Sequence, residues 1–200
     1  TFTKAQTALT KVTNTNTIFN NSTNARMLAF DVLKPLSTRI INALEVSDAD
    51  AEKIKDARAL VRKIHGKRAL SSKVQPVDPD TPAPVSISAS QQSYDQLIQH
   101  LTNLVEIIKT EPSYAPNETD LQITALDAVL TQFKTLNTDV LSTHTNVTNE
   151  RIARNKVLYT NPDSVIKIAA LVKKYVKAAY NAASPEFEQV NAIPFKSYKK

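Results

Sequence analysis

An all-α fold is expected of this chain, an elongated up-and-down helical bundle with an internal pseudo-two-fold repeat. Three observations lead there. The 200 residues include a single glycine, Gly66, where average usage would supply roughly 14. Tight hairpins need residues with φ > 0, which glycine adopts at least cost, so short-turned sheets are disfavoured. Apolar residues recur instead at the three- and four-residue spacing of helices. Finally, Ser22-Thr-Asn-Ala-Arg-Met-Leu-Ala-Phe-Asp-Val-Leu33 aligns without gaps with Val147-Thr-Asn-Glu-Arg-Ile-Ala-Arg-Asn-Lys-Val-Leu158. At the same offset Thr10 pairs with Thr135, Thr13 with Thr138 and Asn21 with Asn146. Such a repeat speaks first about architecture.

Residues 1–33 predict one long, polar-leaning helix striped by Ala5, Ala8, Leu9, Val12, Phe19, Met27 and Val32. Its weakest part is Thr13–Thr17, because threonine is β-branched and asparagine competes for backbone hydrogen bonds. Alignment with a stronger helix in the second copy keeps it helical. Pro35 suits the first position of the next helix, where its missing N–H would have no partner anyway. Leu36, Ile40, Ile41 and Leu44 share a face there. Ser47 is expected to cap a third helix, with Asp50 three residues on. Ile54, Ala57, Leu60, Val61 and Ile64 form its buried stripe. Gly66 follows as a left-handed terminator, which leaves no glycine for a phosphate-binding loop.

Pro76, Pro79, Pro82 and Pro84 mark residues 71–87 as an extended linker, a composition that also fits an SH3-type ligand. The expected organisation is a first helical unit over 1–70, this linker, and a second unit over 88–200, both packed into one bundle. Ser90 is expected to cap a helix carrying Tyr94, Leu97, Ile98, Leu101, Leu104, Val105 and Ile108. Asn117, with Asp120 in the box position, is expected to cap a helix running to Tyr159, roughly 60 Å long at 1.5 Å per residue. Pro162 would start the last long helix, with Val165, Ile168, Ala169, Val172, Tyr175, Val176 and Ala179 facing inward. Ser184-Pro185-Glu186-Phe187 reads as a short turn. Val190, Ile193, Pro194 and Phe195 then read as an apolar tail folding back on the bundle.

The sequence carries no recognisable catalytic signature. The three histidines, His65, His100 and His144, lie on different expected helices, and no Glu-x-x-His pair of the kind used by di-metal bundles occurs. His65 reads as a cation near a helix C-terminus, and His144 as a bundle histidine. Without cysteine there is no disulfide or thiolate site. No nucleophile elbow or dinucleotide fingerprint can be built with one glycine. An enzyme is not expected, nor a metal or cofactor. Asn20, Asn21, Asn117 and Asn146 begin Asn-x-Ser/Thr triplets, which a chain rich in Asn and Thr produces by chance.

The net charge of +6 is spread over three basic stretches. These are Lys53 to Arg68, then Lys167, Lys173, Lys174 and Lys177, then Lys196, Lys199 and Lys200. They would serve a polyanion only if they converged on one face, and otherwise are solvated helix surfaces. No apolar run approaches a membrane span and no signal-peptide core is visible. A cytoplasmic setting is slightly favoured. The start at Thr1 suggests processing or a longer parent chain.

Thr148 to Tyr159, Val176-Lys-Ala-Ala-Tyr180 and Ser184-Pro-Glu-Phe-Glu-Gln-Val190 resemble an all-helical family of bacterial proteins without an assigned function. Pro35 to Leu44 and Lys63-Ile-His-Gly-Lys-Arg68 are similar to other parts of that family. The resemblance implies a bundle with duplicated halves, in a segment order that departs from the usual one, and it carries no catalytic residues.

The expected function is a non-enzymatic structural or protein-interaction bundle, with a protein partner or self-association. Nucleic-acid or polyanion binding through basic helix faces is the alternative, and a membrane-active bundle exposing amphipathic helices is a third reading. The candidate partner-binding residues are Arg26, Arg151, Arg154, Lys173 and Lys174. The repeated Thr-Asn-x-Arg would present Arg26 and Arg151 at equivalent places, or else satisfy polar groups where long helices cross.

Overall fold

The computed structural model describes residues 2–67 and 91–196. It is all-α, with no strand among the described residues. In chain order the helices are α1 (Phe2–Phe30), α2 (Leu33–Glu45), α3 (Ala51–Ile64), α4 (Tyr94–Lys109), α5 (Ile123–Asn155), α6 (Val165–Tyr180) and α7 (Pro185–Ala192). A 3-10 turn at Thr119–Leu121 precedes α5, and a π-helical turn at Lys156–Thr160 follows it. The linker expected at 71–87 and the Ser90 cap lie outside the described residues, as do Arg68, Lys199 and Lys200.

Two compact units form, and they cut across the expected boundaries. One joins Thr1–Thr23 to Val140–Lys200; the other is Asn24–Asp139. The second unit holds the main apolar core. Leu33, Ile40 and Leu44 of α2, Ala57 and Ile64 of α3, and Leu101, Leu104, Val105 and Ile108 of α4 are all but fully buried. Leu126, Leu130 and Phe133 of α5 join them, with Phe30 stacked on Phe133 at 4.1 Å between ring centroids. The first unit buries far less apolar surface, chiefly Ala8 and Val12 of α1 and Val140 and Val147 of α5. Polar contacts supplement it. Ser22 Oγ lies 2.8 Å from Thr143 Oγ1, and the Phe19 ring sits 5.4 Å from that of the exposed His144.

The weak Thr13–Thr17 stretch is helical, and its hydroxyls explain how. Thr13, Thr15 and Thr17 donate to the carbonyls of Leu9, Lys11 and Thr13 at 3.2, 3.0 and 3.1 Å, so each satisfies itself on the preceding turn. Gly66 terminates α3 as expected, at φ +70°. Gly66 N donates to Lys63 O and Lys67 N to Arg62 O, both at 3.0 Å, the paired bonds of a Schellman ending.

Several helix starts differ from expectation, each for a local reason. Pro35 is the third residue of α2, not the first, which costs nothing because every N–H of a first turn lacks an intrahelical partner. Ser47 closes α2 by donating to Leu44 O at 2.8 Å. Asp50, not Ser47, caps α3 by accepting from Glu52 N at 2.9 Å. Ser93 caps α4, accepting from Gln96 N. Asn117 does not cap α5: Asp120 instead pairs in a fork with Arg39 of α2, and the helix begins at Ile123. Its 33 residues span about 50 Å. Pro162 lies ahead of α6, in a turn held by Ser164 N to Asn161 O at 3.1 Å. Ser184-Pro185 is no mere turn. Ser184 accepts from Phe187 N at 3.1 Å and opens α7 with proline in its first turn.

The two copies of the repeated segment end their helices at matching positions, α1 at Phe30 and α5 at Asn155. Beyond that point they part. The first copy turns at once into α2, whereas the second enters the π-helical turn. Phe30 is buried in the apolar core, and polar Asn155 stands at the equivalent place. Matching helix ends apart, the expected two-fold equivalence is not confirmed.

Candidate interaction surface

The five sequence candidates fall in different compact units. Arg26 belongs to the Asn24–Asp139 unit, and Arg151, Arg154, Lys173 and Lys174 to the other. Most are also engaged within the chain. Arg26 holds its guanidinium carbon over the Tyr94 ring, 3.9 Å from its centroid, and donates through Nη1 to Asn137 Oδ1 at 2.7 Å. Asn137, itself buried, passes the bond on through Nδ2 to Asp95 Oδ1 at 2.7 Å. This chain of cation, amide and carboxylate ties α1, α4 and α5, with Arg26 Nε buried beside it and without a partner. Arg26 is a fastener where helices meet.

Arg151 donates to Asn16 Oδ1 at 3.1 Å, bridging α5 to α1. Arg154 holds the side chain of its neighbour Asn155 at 3.2 and 2.9 Å, next to the point where α5 gives way to the π-helical turn. Lys173 donates to Asn191 O and Ile193 O at 3.0 and 2.7 Å, pinning the end of α7 and the chain beyond it to α6. Of the five, Lys174 alone has an exposed ammonium without a partner among the described residues.

The basic stretch on α3 is partly neutralised. Lys55 pairs with Glu52 at 3.0 Å, Arg58 with Glu45 at 2.7 Å, and Lys53 with Glu111 at 3.3 Å. Glu111 is held down to about 2 chiefly by bonds from the Ser113 hydroxyl and backbone N–H, so it stays ionised beside Lys53. His65 joins α3 to α2, its Nε2 lying 3.3, 3.2 and 3.2 Å from Ser37 Oγ, Thr38 Oγ1 and Lys34 O. Ser37 is fully buried and already donates to Lys34 O at 2.9 Å, so this pair is a helix contact and not an activated nucleophile. Among the described residues no three potential ligands gather for a metal ion. An open groove of about 560 Å³, between the end of α2 and residues 113–121, is lined by Arg39, Asn42, Ser47, Ser113 and Glu118 without a histidine or lysine.

The surface that stands out is one that sequence periodicity pointed the wrong way. The apolar residues of α6 were expected to face inward, yet none of the helix is fully buried. Val165, Ile168, Ala169 and Val176 are half-buried, on a helix that packs against α7 and the π-helical turn. Leu171, Val172 and Tyr175 are 63, 48 and 74 % exposed, and Ala179 is exposed with them. Ile193 and Phe195 of the expected tail reach α6, where Lys173 lies over the Phe195 ring at 5.4 Å, but about half their surface stays open. Periodicity identifies an apolar face and is silent on whether the same chain covers it.

The polar fastener was also missed, although a signal existed. Asn137 falls one turn after Phe133 and just before Val140 in the apolar stripe of α5, and a buried amide in such a stripe needs polar partners on the facing helices. No described helix is long and apolar enough to cross a membrane. No protein-family model, curated protein or solved structure matches this chain.

Proposed function

We propose that this protein is a non-enzymatic helical interaction module, in which a packed bundle carries α6 as its docking element. The observation that carries this reading is the outer face of α6, where Leu171, Val172 and Tyr175 stay in water. Scattered exposed apolar residues are ordinary, but a continuous helical stripe of them marks a contact surface. The scaffold side is supported by the committed polar groups: Arg26, Arg151 and Lys173 hold helices together.

Polyanion binding is the second reading, favoured by the four lysines and absence of any acidic residue on α6. It leaves Leu171 and Val172 without a role. Photo-crosslinking in extracts separates an interaction module from a passive structural domain. A photoreactive residue at position 171 or 175 should give discrete adducts that the same group at Lys134, exposed on α5, does not. Equal, diffuse labelling at all three positions would refute the reading.

A further inference from the structure

We propose that α6 docks on the surface of an anionic lipid bilayer, lying in the plane of the interface with Leu171, Val172 and Tyr175 inserted. This rests on the reading of α6 as the docking element and names its partner. Successive residues of a helix turn by about 100°, which sets Leu171, Tyr175, Ala179 and Val172 within one arc. Lys167 and Lys174 fall along one edge of that arc. Both are exposed; Lys174 is unpaired, and Lys167 makes only a long 3.3 Å bond to Thr160 O. Their aliphatic stems can lie along the apolar stripe while the ammonium groups reach outward to phosphates.

Charge and apolarity together select the partner. The helix carries Lys167, Lys173, Lys174 and Lys177 and no carboxylate, so its complement is anionic. Nucleic acid supplies phosphates but no apolar layer for Leu171 and Val172. A partner protein helix could supply both only by placing acidic and apolar groups in matching register along this face. A bilayer demands no register: it offers phosphates above acyl chains, with tyrosine favoured at the boundary between them. Sixteen residues lying flat suit that geometry, and no helix needs to span.

The chain lacks cysteine, so a single Ala179→Cys variant can carry an environment-sensitive fluorophore on the arc. Phosphatidylcholine vesicles containing phosphatidylglycerol should bind the labelled protein with a blue shift that weakens as salt rises, and pure phosphatidylcholine should bind it far less. Lys167→Gln with Lys174→Gln should weaken binding about thirtyfold, and Leu171→Ser with Tyr175→Ser at least tenfold. Circular dichroism checks that each variant keeps its helices. Binding that survives L171S/Y175S would overturn the inference, because the lysines alone would then be adhering to a polyanion. No binding to anionic vesicles, with protein adducts still forming at position 171, would also overturn it while leaving the interaction module intact. Absence of both vesicle binding and adducts would remove the two readings together.

Discussion

Removing Asn137 tests whether the repeated arginine is a fastener. In Asn137→Ala the amide that accepts from Arg26 Nη1 and donates to Asp95 Oδ1, both at 2.7 Å, is lost. Arg26 cannot discharge itself by losing a proton, and its Nε is already buried without a partner. The substitution therefore takes the protein acceptor from a second guanidinium nitrogen beside one that already lacks a partner. Hydrogen bonds to charged groups contribute about 1.5–3 kcal/mol each. Asp95 is exposed at the start of α4 and can recover water, whereas partly buried Arg26 loses its amide acceptor, so the expected loss is about 3 kcal/mol, the upper end for one hydrogen bond to a charged group. For a chain of this length that lowers the midpoint by roughly 6–12 °C. Urea unfolding followed by circular dichroism measures it, and hydrogen exchange in α4 and α5 places it in the Asn24–Asp139 unit. Arg26→Met keeps most of the stem over Tyr94 and removes the stranded charge, so the double variant should be more stable than the two single losses summed. A loss below about 0.5 kcal/mol for N137A, within the range of ordinary surface changes, would refute the fastener. Strict additivity would refute the coupling.

Gly66→Ala should cost about 1–2 kcal/mol, because φ +70° is unfavourable for any residue with a Cβ. The new methyl would also sit 3.1 Å from Gln92 Cδ, and thermal melts would show an unchanged midpoint if the Schellman ending were unimportant. His100 is 4 % exposed, with Nε2 buried and unpartnered, and burial, then the charge of Lys63, lowers its pKa. A depressed histidine binds fewer protons folded than unfolded, so stability should fall as the pH drops below about 6.5. Denaturation across that range on the wild type and on His100→Leu should show the variant with the flatter slope; parallel slopes would contradict this.

Much of the fold was legible in the sequence because helix formation is local. One glycine, the apolar spacing and the capping residues are each expressed within a few positions, although the long helices, expected to run to residues 33 and 159, stop at Phe30 and Asn155. Shifts of a few residues in helix starts arose where two residues compete for one role. Asp50 displaced Ser47, and Arg39 of α2 drew Asp120 away from the box position. That second competition is between residues far apart in sequence, so no window could have shown it.

The candidate site was far less legible. Arg26 and Arg151 look alike in sequence, but one is stacked on Tyr94 and bonded to Asn137, and the other reaches across to Asn16. By itself the sequence determined the all-α class, the terminator at Gly66 and the amphipathic character of α6. Only the tertiary structure decided which charges are consumed inside the bundle and which apolar face stays bare. The physical reason is that periodicity measures how a helix is divided, whereas burial depends on what the rest of the chain brings to each side. At α6 it brings α7 and the π-helical turn to one side and leaves Leu171, Val172 and Tyr175 to water.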